Sequence, residues 1–170
     1  MTPESIRTER LVLRAPELAD APRIARFTAD PGVARMLGSF PLQQTVVGAE
    51  GWVLIRQATA RRGEGASFAI DLPGEGLIGL IGADRHGDAA EIGYWLGRPW
   101  WGQGYATEAL RGIMPFAREL GAVVADHFAD NPASGRALEK AGFVYTGEIT
   151  PRFSLARGAS APARLMRLAA

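Results

Sequence analysis

The chain has 170 residues, 47% of them hydrophobic and 22% charged, with 19 basic against 18 acidic side chains and a net charge of +1. It holds no cysteine and two histidines, His86 and His127, which excludes a disulfide scaffold, thiolate or histidine-rich metal centres and a cysteine nucleophile. The balanced charge argues against nucleic acid as a main partner, because such binding usually needs a basic excess on one face.

At about 150 residues per domain, the length predicts one domain over residues 1–170. A domain of this size buries a core without any staple. The first fifteen residues carry Glu4, Arg7, Glu9, Arg10 and Arg14, so no apolar signal core is visible. The longest apolar stretch, Leu77 to Ala83, is far short of the ~20 residues that span a bilayer. A cytoplasmic protein without a membrane partner is expected. Only one of the basic residues, Lys140, is lysine, which reads as compositional bias.

Leu11–Arg14 predicts a first strand, stopped by Pro16. Glu17 to Ala29 places Leu18, Ala21, Ile24, Ala25 and Phe27 near helical spacing, and Asp30-Pro31 ends it. A short helical piece over Pro31–Leu37 and a longer helix over Gln44–Arg62 follow. The pattern then changes. Ser67–Leu72 and Leu77–Ala83 read as a hairpin around Pro73-Gly74-Glu75-Gly76, and Ala90–Leu96 as the next strand. Thr107–Leu120 is helical, closed by Gly121, with Pro115 predicting a kink. Ala122–Phe128 is an apolar strand of the buried, parallel kind. Asn131-Pro132 opens a helix to Ala141, Gly142 closes it, and Phe143–Ile149 and Ala163–Leu168 are the last strands. The order predicts an α/β or α+β fold with a mixed sheet.

Chemistry concentrates between Glu91 and Phe143. A strand, Glu91-Ile92-Gly93-Tyr94-Trp95-Leu96, runs into Gly97-Arg98-Pro99-Trp100-Trp101-Gly102-Gln103-Gly104-Tyr105-Ala106, and a helix follows. Glycines at a helix start let the backbone approach a ligand, and the free N–H groups there favour an anion such as phosphate. A tight strand-to-helix turn would use the same glycines. A dinucleotide site is a rival, since Asp126 lies 22 residues after Gly104. Against it, Pro99-Trp100-Trp101 separates strand from glycines, whereas a dinucleotide loop turns immediately after its strand. No Gly-Lys-Ser/Thr follows, which excludes a Walker A loop.

Four motifs stand in order: Glu91–Leu96; Gly102-Gln103-Gly104-Tyr105-Ala106-Thr107-Glu108-Ala109; Asn131-x-x-Ser134; and Glu139-Lys140-x-Gly142-Phe143. Together they resemble the GNAT family of N-acetyltransferases, most of all the branch of the ribosomal-protein acetyltransferases RimJ and RimL. Thr8-Glu9-Arg10-Leu11-Val12-Leu13-Arg14 looks like the start of that branch. The resemblance implies a mostly antiparallel sheet with one splayed parallel pair, Ala90–Leu96 beside Ala122–Phe128, and helices on both faces. It implies acetyl-CoA as co-substrate and no metal. The pantetheine arm would lie between the splayed strands, against Tyr94, Trp95 and Leu96, with Asn131 and Ser134 across from it. The pyrophosphate would sit on the N–H groups of Trp101, Gly102, Gln103, Gly104, Tyr105, Ala106 and Thr107.

The chain departs from the family at two positions. Trp101 stands where the phosphate motif often has Gln or Arg, and Arg98 is a possible substitute cation. Leu138 stands where many relatives have a general-acid tyrosine. Ser134 is then the hydroxyl available to the CoA sulfur, although its position also suits a helix cap. Glu91 is the candidate base or cation-attracting carboxylate, sharing a strand face with Gly93 and Trp95. His127 is a lesser candidate base, since a structural, hydrogen-bonded histidine is the commoner outcome. Trp95, Trp100 and Trp101 either line an acceptor pocket or belong to the core.

The resulting expectation is acetyl transfer from acetyl-CoA to a primary amine by direct attack in a ternary complex. Strand N–H groups from Tyr94 to Leu96 would hold the oxyanion. The acceptor is a protein N-terminus or a small-molecule amine, shaped by Glu17–Arg62 and a Thr150–Ala161 loop, and a homodimer is compatible with this. The alternatives are a non-catalytic acyl-CoA sensor and, more remotely, a dinucleotide enzyme.

Overall fold

The computed structural model describes residues 2–169. Eight strands form one sheet: β1 (Ser5–Arg7), β2 (Val12–Arg14), β3 (Gly65–Leu72), β4 (Gly76–His86), β5 (Ala89–Leu96), β6 (Ala122–Phe128), β7 (Phe143–Ser154) and β8 (Ala159–Leu168). Their spatial order is β1-β2-β3-β4-β5-β6-β8-β7. Every neighbouring pair is antiparallel except β5–β6. The helices are α1 (Ala21–Thr28), α2 (Pro31–Ala34), α3 (Val46–Arg61), α4 (Tyr105–Leu120) and α5 (Pro132–Lys140).

The helices cover both faces of the sheet. On one face Leu110, Ile113, Met114 and Phe116 of α4, with Leu138 of α5, pack on Phe68, Ile81, Ile92 and Val123. On the other, Ile24 and Phe27 of α1 and Val53 of α3 pack with Phe40 on Leu77, Leu80 and Trp95. Alternation along β5 produces this division, because Ile92 and Leu96 point to the first cluster and Trp95 to the second. The α5 helix lies close on β6 because position 135 is glycine: a Cβ there would stand 2.3 Å from the Tyr145 hydroxyl oxygen and 2.8 Å from His127 Nε2.

Most expected elements are present, with four corrections. The strand β1 precedes the first expected one; three residues of Ser-Ile-Arg carry too little pattern to signal it. The helix expected over Glu17–Ala29 is a 3-10 turn at Leu18–Asp20 followed by α1, with Pro22 in the first turn of α1. The α4 helix begins at Tyr105 rather than Thr107 and continues through Pro115 to Leu120.

The fourth correction concerns the end of the chain. Instead of a Thr150–Ala161 loop, β7 runs on to Ser154 and β8 starts at Ala159, making a long hairpin. Pro151 and Pro162 are opposite each other in its register. Prolines read as strand breakers, but Pro151 is on β7, the sheet's edge, where a missing N–H costs no ladder bond, and Pro162 of β8 lies just past Ala163, where the pairing with β6 ends.

Candidate active site

The parallel ladder between β5 and β6 is short. It pairs Ala89 with Ala122, Ala90 with Val123, Glu91 with Val124 and Ile92 with Ala125, and then stops. Beyond it, Gly93–Leu96 remain paired to β4 alone and Asp126–Phe128 to β8 alone. The two strands therefore form a wedge whose open end carries backbone polar groups from both sides.

At the mouth of the wedge the chain turns through Arg98–Trp100 into Gly102 and Gly104, with φ of 74° and 83°. Gly104 is the N-cap of α4 and has no side chain to cap it. The first-turn N–H groups of α4 have no intrahelical partner, so they and the helix dipole present a partial positive charge at the wedge. Nothing lies within 4 Å of where a Cβ of Gly102 would be. The residues at this turn thus suit a phosphate group approaching the backbone.

Arg98, the expected substitute cation at this loop, is already engaged. Arg98 makes a bidentate pair with Asp30, at 2.6 Å to each oxygen, and its guanidinium lies 5.1 Å from the Trp101 ring centre. The Arg98 pairing holds the Asp30 carboxyl below its ordinary range. Arg10, itself paired with Glu108, also reaches the loop. Its Nη1 donates to the Gln103 carbonyl at 3.0 Å, its Nε to Glu108 at 2.7 Å, and its guanidinium covers the Tyr105 ring at 4.4 Å. A Cβ on Gly104 would stand 3.4 Å from Arg10 Nη2.

Glu108 is fixed by three donors: the Thr8 hydroxyl at 2.6 Å, the Arg10 backbone N–H at 2.7 Å and the Arg10 side chain. Burial would raise this carboxyl, but the donors outweigh it and hold it below the usual range. The Thr8-Glu9-Arg10 segment is therefore tied to the glycine loop, across nearly a hundred residues of sequence. No spacing argument reveals that link.

Within the wedge, Tyr94 lies on the α4–α5 side of β5 and reaches α5. Its hydroxyl is 2.8 Å from Ser134 Oγ and 3.2 Å from the Ser134 carbonyl. Burial pushes the Tyr94 phenol up to about 12 against the lowering effect of the Ser134 hydrogen bond, so it is a proton donor and not a base at neutral pH. Ser134 sits in the first turn of α5, where Asn131 caps the helix by accepting from the Ser134 N–H at 3.3 Å. The capping role belongs to Asn131, which leaves the Ser134 hydroxyl facing Tyr94. Leu138 is buried in the core.

On the opposite side of the sheet, Glu91 is at the closed end of the wedge. Arg152 of β7 donates to it at 3.1 Å and also pairs with Asp126 of β6. Two carboxylates thus share one guanidinium, a local charge of −1. Sequence reasoning found Glu91 but not Arg152, and considered Asp126 only as a ribose ligand. Asp126 instead faces Arg152, away from the glycine loop.

The aromatic residues separate by role. Trp95 is buried beside Phe40 at 6.3 Å between ring centres, and its Nε1 has no hydrogen-bond partner among the described residues. Such an orphaned donor costs about 1–3 kcal/mol. Trp100 stacks edge-on with Phe27 at 5.0 Å. Trp101 is half exposed and donates to the Leu96 carbonyl at 2.8 Å, closing the end of β5. Tyr105, Ala106 and Thr107 form the first turn of α4, and Gln103 donates to the Pro99 carbonyl at 2.9 Å. His127 is buried on the α5 side. Its Nδ1 donates to the Phe128 carbonyl at 2.8 Å, so Nε2 accepts from the Tyr145 hydroxyl at 3.0 Å. With both nitrogens engaged, the geometry fits the structural reading of this histidine.

A family model described as an acetyltransferase (GNAT) domain matches residues 10–144. The chain belongs to the GNAT acetyltransferase family. Its GNAT sheet, with one parallel pair among antiparallel strands, superposes on solved members. RimJ of Mycobacterium smegmatis in complex with CoA-disulfide aligns with a TM-score of 0.83 at 24% identity, over 98% of this chain and 87% of that one. The Salmonella typhimurium acetyltransferase that modifies the N-terminal serine of ribosomal protein L7/L12 aligns at 0.82 and 20% identity, over 96% and 98%. In sequence, the N-acetyltransferase p20 of Bacillus licheniformis is 32% identical over 117 residues, 66% of this chain and 65% of that relative's length. No helix among the described residues is long and apolar enough to cross a membrane.

Proposed function

We propose that this GNAT protein, acting as a single domain over residues 1–170, transfers the acetyl group of acetyl-CoA to a primary amine. The observation that carries the reading is the wedge: a parallel ladder that ends at Ile92 and Ala125, opening toward a glycine-started helix N-terminus. A pyrophosphate on the N–H groups of Gly102–Thr107 would direct the pantetheine arm between β5 and β6. There it meets Tyr94 and Ser134 on one side of the sheet. The amine then approaches from the other side, past Trp95 and the Glu91–Arg152–Asp126 cluster, whose net negative charge attracts an ammonium.

Acetyl-CoA supplies the thioester. The chain's residues orient it, receive the proton from the amine and return one to the sulfur. Those backbone N–H groups of Tyr94–Leu96 that face the wedge would stabilise the oxyanion. With no cysteine in the chain, the amine attacks the thioester directly. The likeness to an enzyme that modifies an N-terminal serine supports a protein N-terminus as acceptor, beside small-molecule amines.

Two measurements test the reading. Acetyl-CoA at 100 times its dissociation constant should stabilise the fold by about 2.7 kcal/mol, and NAD should not. Free-thiol release should then follow with at least one of a panel of serine- and alanine-ended peptides, polyamines and aminoglycosides. Stabilisation by NAD alone overturns the proposal, and CoA binding without any turnover leaves a sensor.

Glu91 provides a third expected outcome. An amine of pKa roughly 8 to 10 arrives mostly as ammonium at neutral pH. Glu91→Gln keeps shape and leaves Arg152 its Asp126 partner, so the variant should fold and bind acetyl-CoA normally. Its rate should be several-fold down at pH 7 and recover as pH rises and free amine accumulates. A wild-type pH–rate profile in the variant would remove Glu91 from the proton path.

A further inference from the structure

The α3 helix is apolar on two sides. Ala49 and Val53 face the sheet and are fully buried in the cluster of Phe40 and Leu77. On the opposite side, Val47, Gly51, Leu54 and Ala58 recur at spacings of four and three, with Ile55 beside them, so they form one outward stripe. Val47 is 74% exposed, Leu54 54% and Ile55 64%. A surface helix ordinarily carries polar side chains on that side. Single exposed apolar residues need no explanation, but a contiguous stripe marks an interaction surface.

Gly51 is a second, independent observation. Glycine is the poorest helix former apart from proline, yet Gly51 stands inside α3 without a left-handed φ. Nothing lies within 4 Å of where its Cβ would be, so no neighbour in the chain demands the missing side chain. Gly112 of α4 shows the contrast, since a Cβ there would stand 2.8 Å from Thr8 Cγ2. A glycine with no internal reason, in the middle of an exposed apolar stripe, fits a second backbone passing close above it.

The charges beside the stripe say which backbone. Glu50 and Arg61 border it on the same flank, about 16 Å apart along the axis, too far to meet within one helix. Neither has an ion-pair partner among the described residues. A two-fold axis crossing α3 near Ile55 reverses the helix direction and keeps each flank against its own counterpart. Glu50 of one copy then meets Arg61 of the other, and Arg61 meets Glu50. Gly51 lies against Ala58, and Leu54 and Ile55 pack on their counterparts around the axis. The stripe is complementary to itself in shape and in charge.

We propose that the outer face of α3 is the interface of a homodimer, two antiparallel α3 helices packed about Leu54 and Ile55 and set in register by two Glu50–Arg61 pairs. One helix face per copy gives an interface at the low end of specific sizes. The dimer is therefore reversible and depends on concentration.

Sedimentation of the full chain from about 1 to about 100 μM tests this, a range that brackets micromolar dissociation constants. The wild type should pass from monomer to dimer. Glu50→Arg and Arg61→Glu set like charges opposite each other, and each should weaken the dimer about fivefold or more. The double variant should recover most of the loss, because the exchanged charges still face one another. Leu54→Glu should stay monomeric throughout, with an unchanged circular-dichroism spectrum, since the side chain is exposed. Ile55→Cys adds the chain's only thiol close to the axis, and mild oxidation should trap a disulfide-linked dimer. Phe153→Cys, comparably exposed on β7, should give none at the same concentration. A wild type that remains monomeric over the whole range, including one whose stripe instead binds an acceptor peptide, overturns the proposal. So does a dimer indifferent to Leu54→Glu, or a double charge variant no better than its single parents.

Discussion

Gly104→Asp should abolish the thermal stabilisation by acetyl-CoA, with affinity falling a hundredfold or more. Three effects add. Gly104 has φ of 83°, a conformation that costs a non-glycine residue on the order of 1 kcal/mol or more. The new carboxylate would stand at the N-terminus of α4, on the N–H groups that a phosphate would use. It would also lie beside Arg10, whose nearest guanidinium nitrogen is 3.4 Å from the position an added Cβ would take, and so would draw off the loop's cation. Gly104→Ala separates the contributions, since it carries the backbone strain without the charge. If the alanine variant loses as much as the aspartate variant, strain and not anion competition accounts for the effect. If the aspartate variant keeps its acetyl-CoA shift, the pyrophosphate does not sit at this helix start.

Ser134→Ala should lower the rate of thiol release tenfold or more at neutral pH while changing acetyl-CoA affinity less, within the usual range for lost general-acid help. The pair of hydroxyls explains why a serine, a poor acid by itself, is suited to the task. When the Tyr94 hydroxyl donates to Ser134 Oγ, 2.8 Å away, the serine proton is left to point into the wedge. Burial pushes the Tyr94 phenol up to about 12, so Tyr94 keeps a proton to donate through the physiological range. Tyr94→Phe should therefore reproduce part of the Ser134→Ala loss, and the double variant should be little worse than Ser134→Ala alone. Both deficits should shrink above about pH 8.5, where a leaving thiolate no longer needs a proton. Weakened acetyl-CoA binding with unchanged turnover would reduce Ser134 to a cofactor contact.

The middle of the chain was the most legible in sequence. Glu91–Leu96, the paired glycines and Asn131-x-x-Ser134 are local patterns, and each local pattern specifies its own strand, turn or cap. The structure places these segments around one wedge because β5, α4, β6 and α5 are consecutive. What sequence could not supply were contacts between distant segments. Arg10 reaches the glycine loop from the first strands, and Arg152 reaches Glu91 from the last hairpin. Arg98 looked suitable for the phosphate because it is near Gly102 in sequence, but Asp30, 68 residues away, holds it. The same limit applied to the Thr150–Ala161 hairpin. Whether Pro151 and Pro162 break a strand depends on which strand lies at the edge of the sheet and on where the β6–β8 ladder ends, and those are properties of the whole order of strands.

The shortness of the β5–β6 ladder also divides the peptide groups of β5 into two populations. Along Gly93–Leu96, residues alternate between those whose amides point to β4 and those whose amides point into the wedge. The first set is locked in a ladder, and its hydrogens exchange with solvent only when the sheet opens. The second set is protected by no strand, so its exchange reports directly on whether the wedge is filled. The strand at the centre of the fold is thus rigid along one edge and, along the other, a built-in gauge of occupancy.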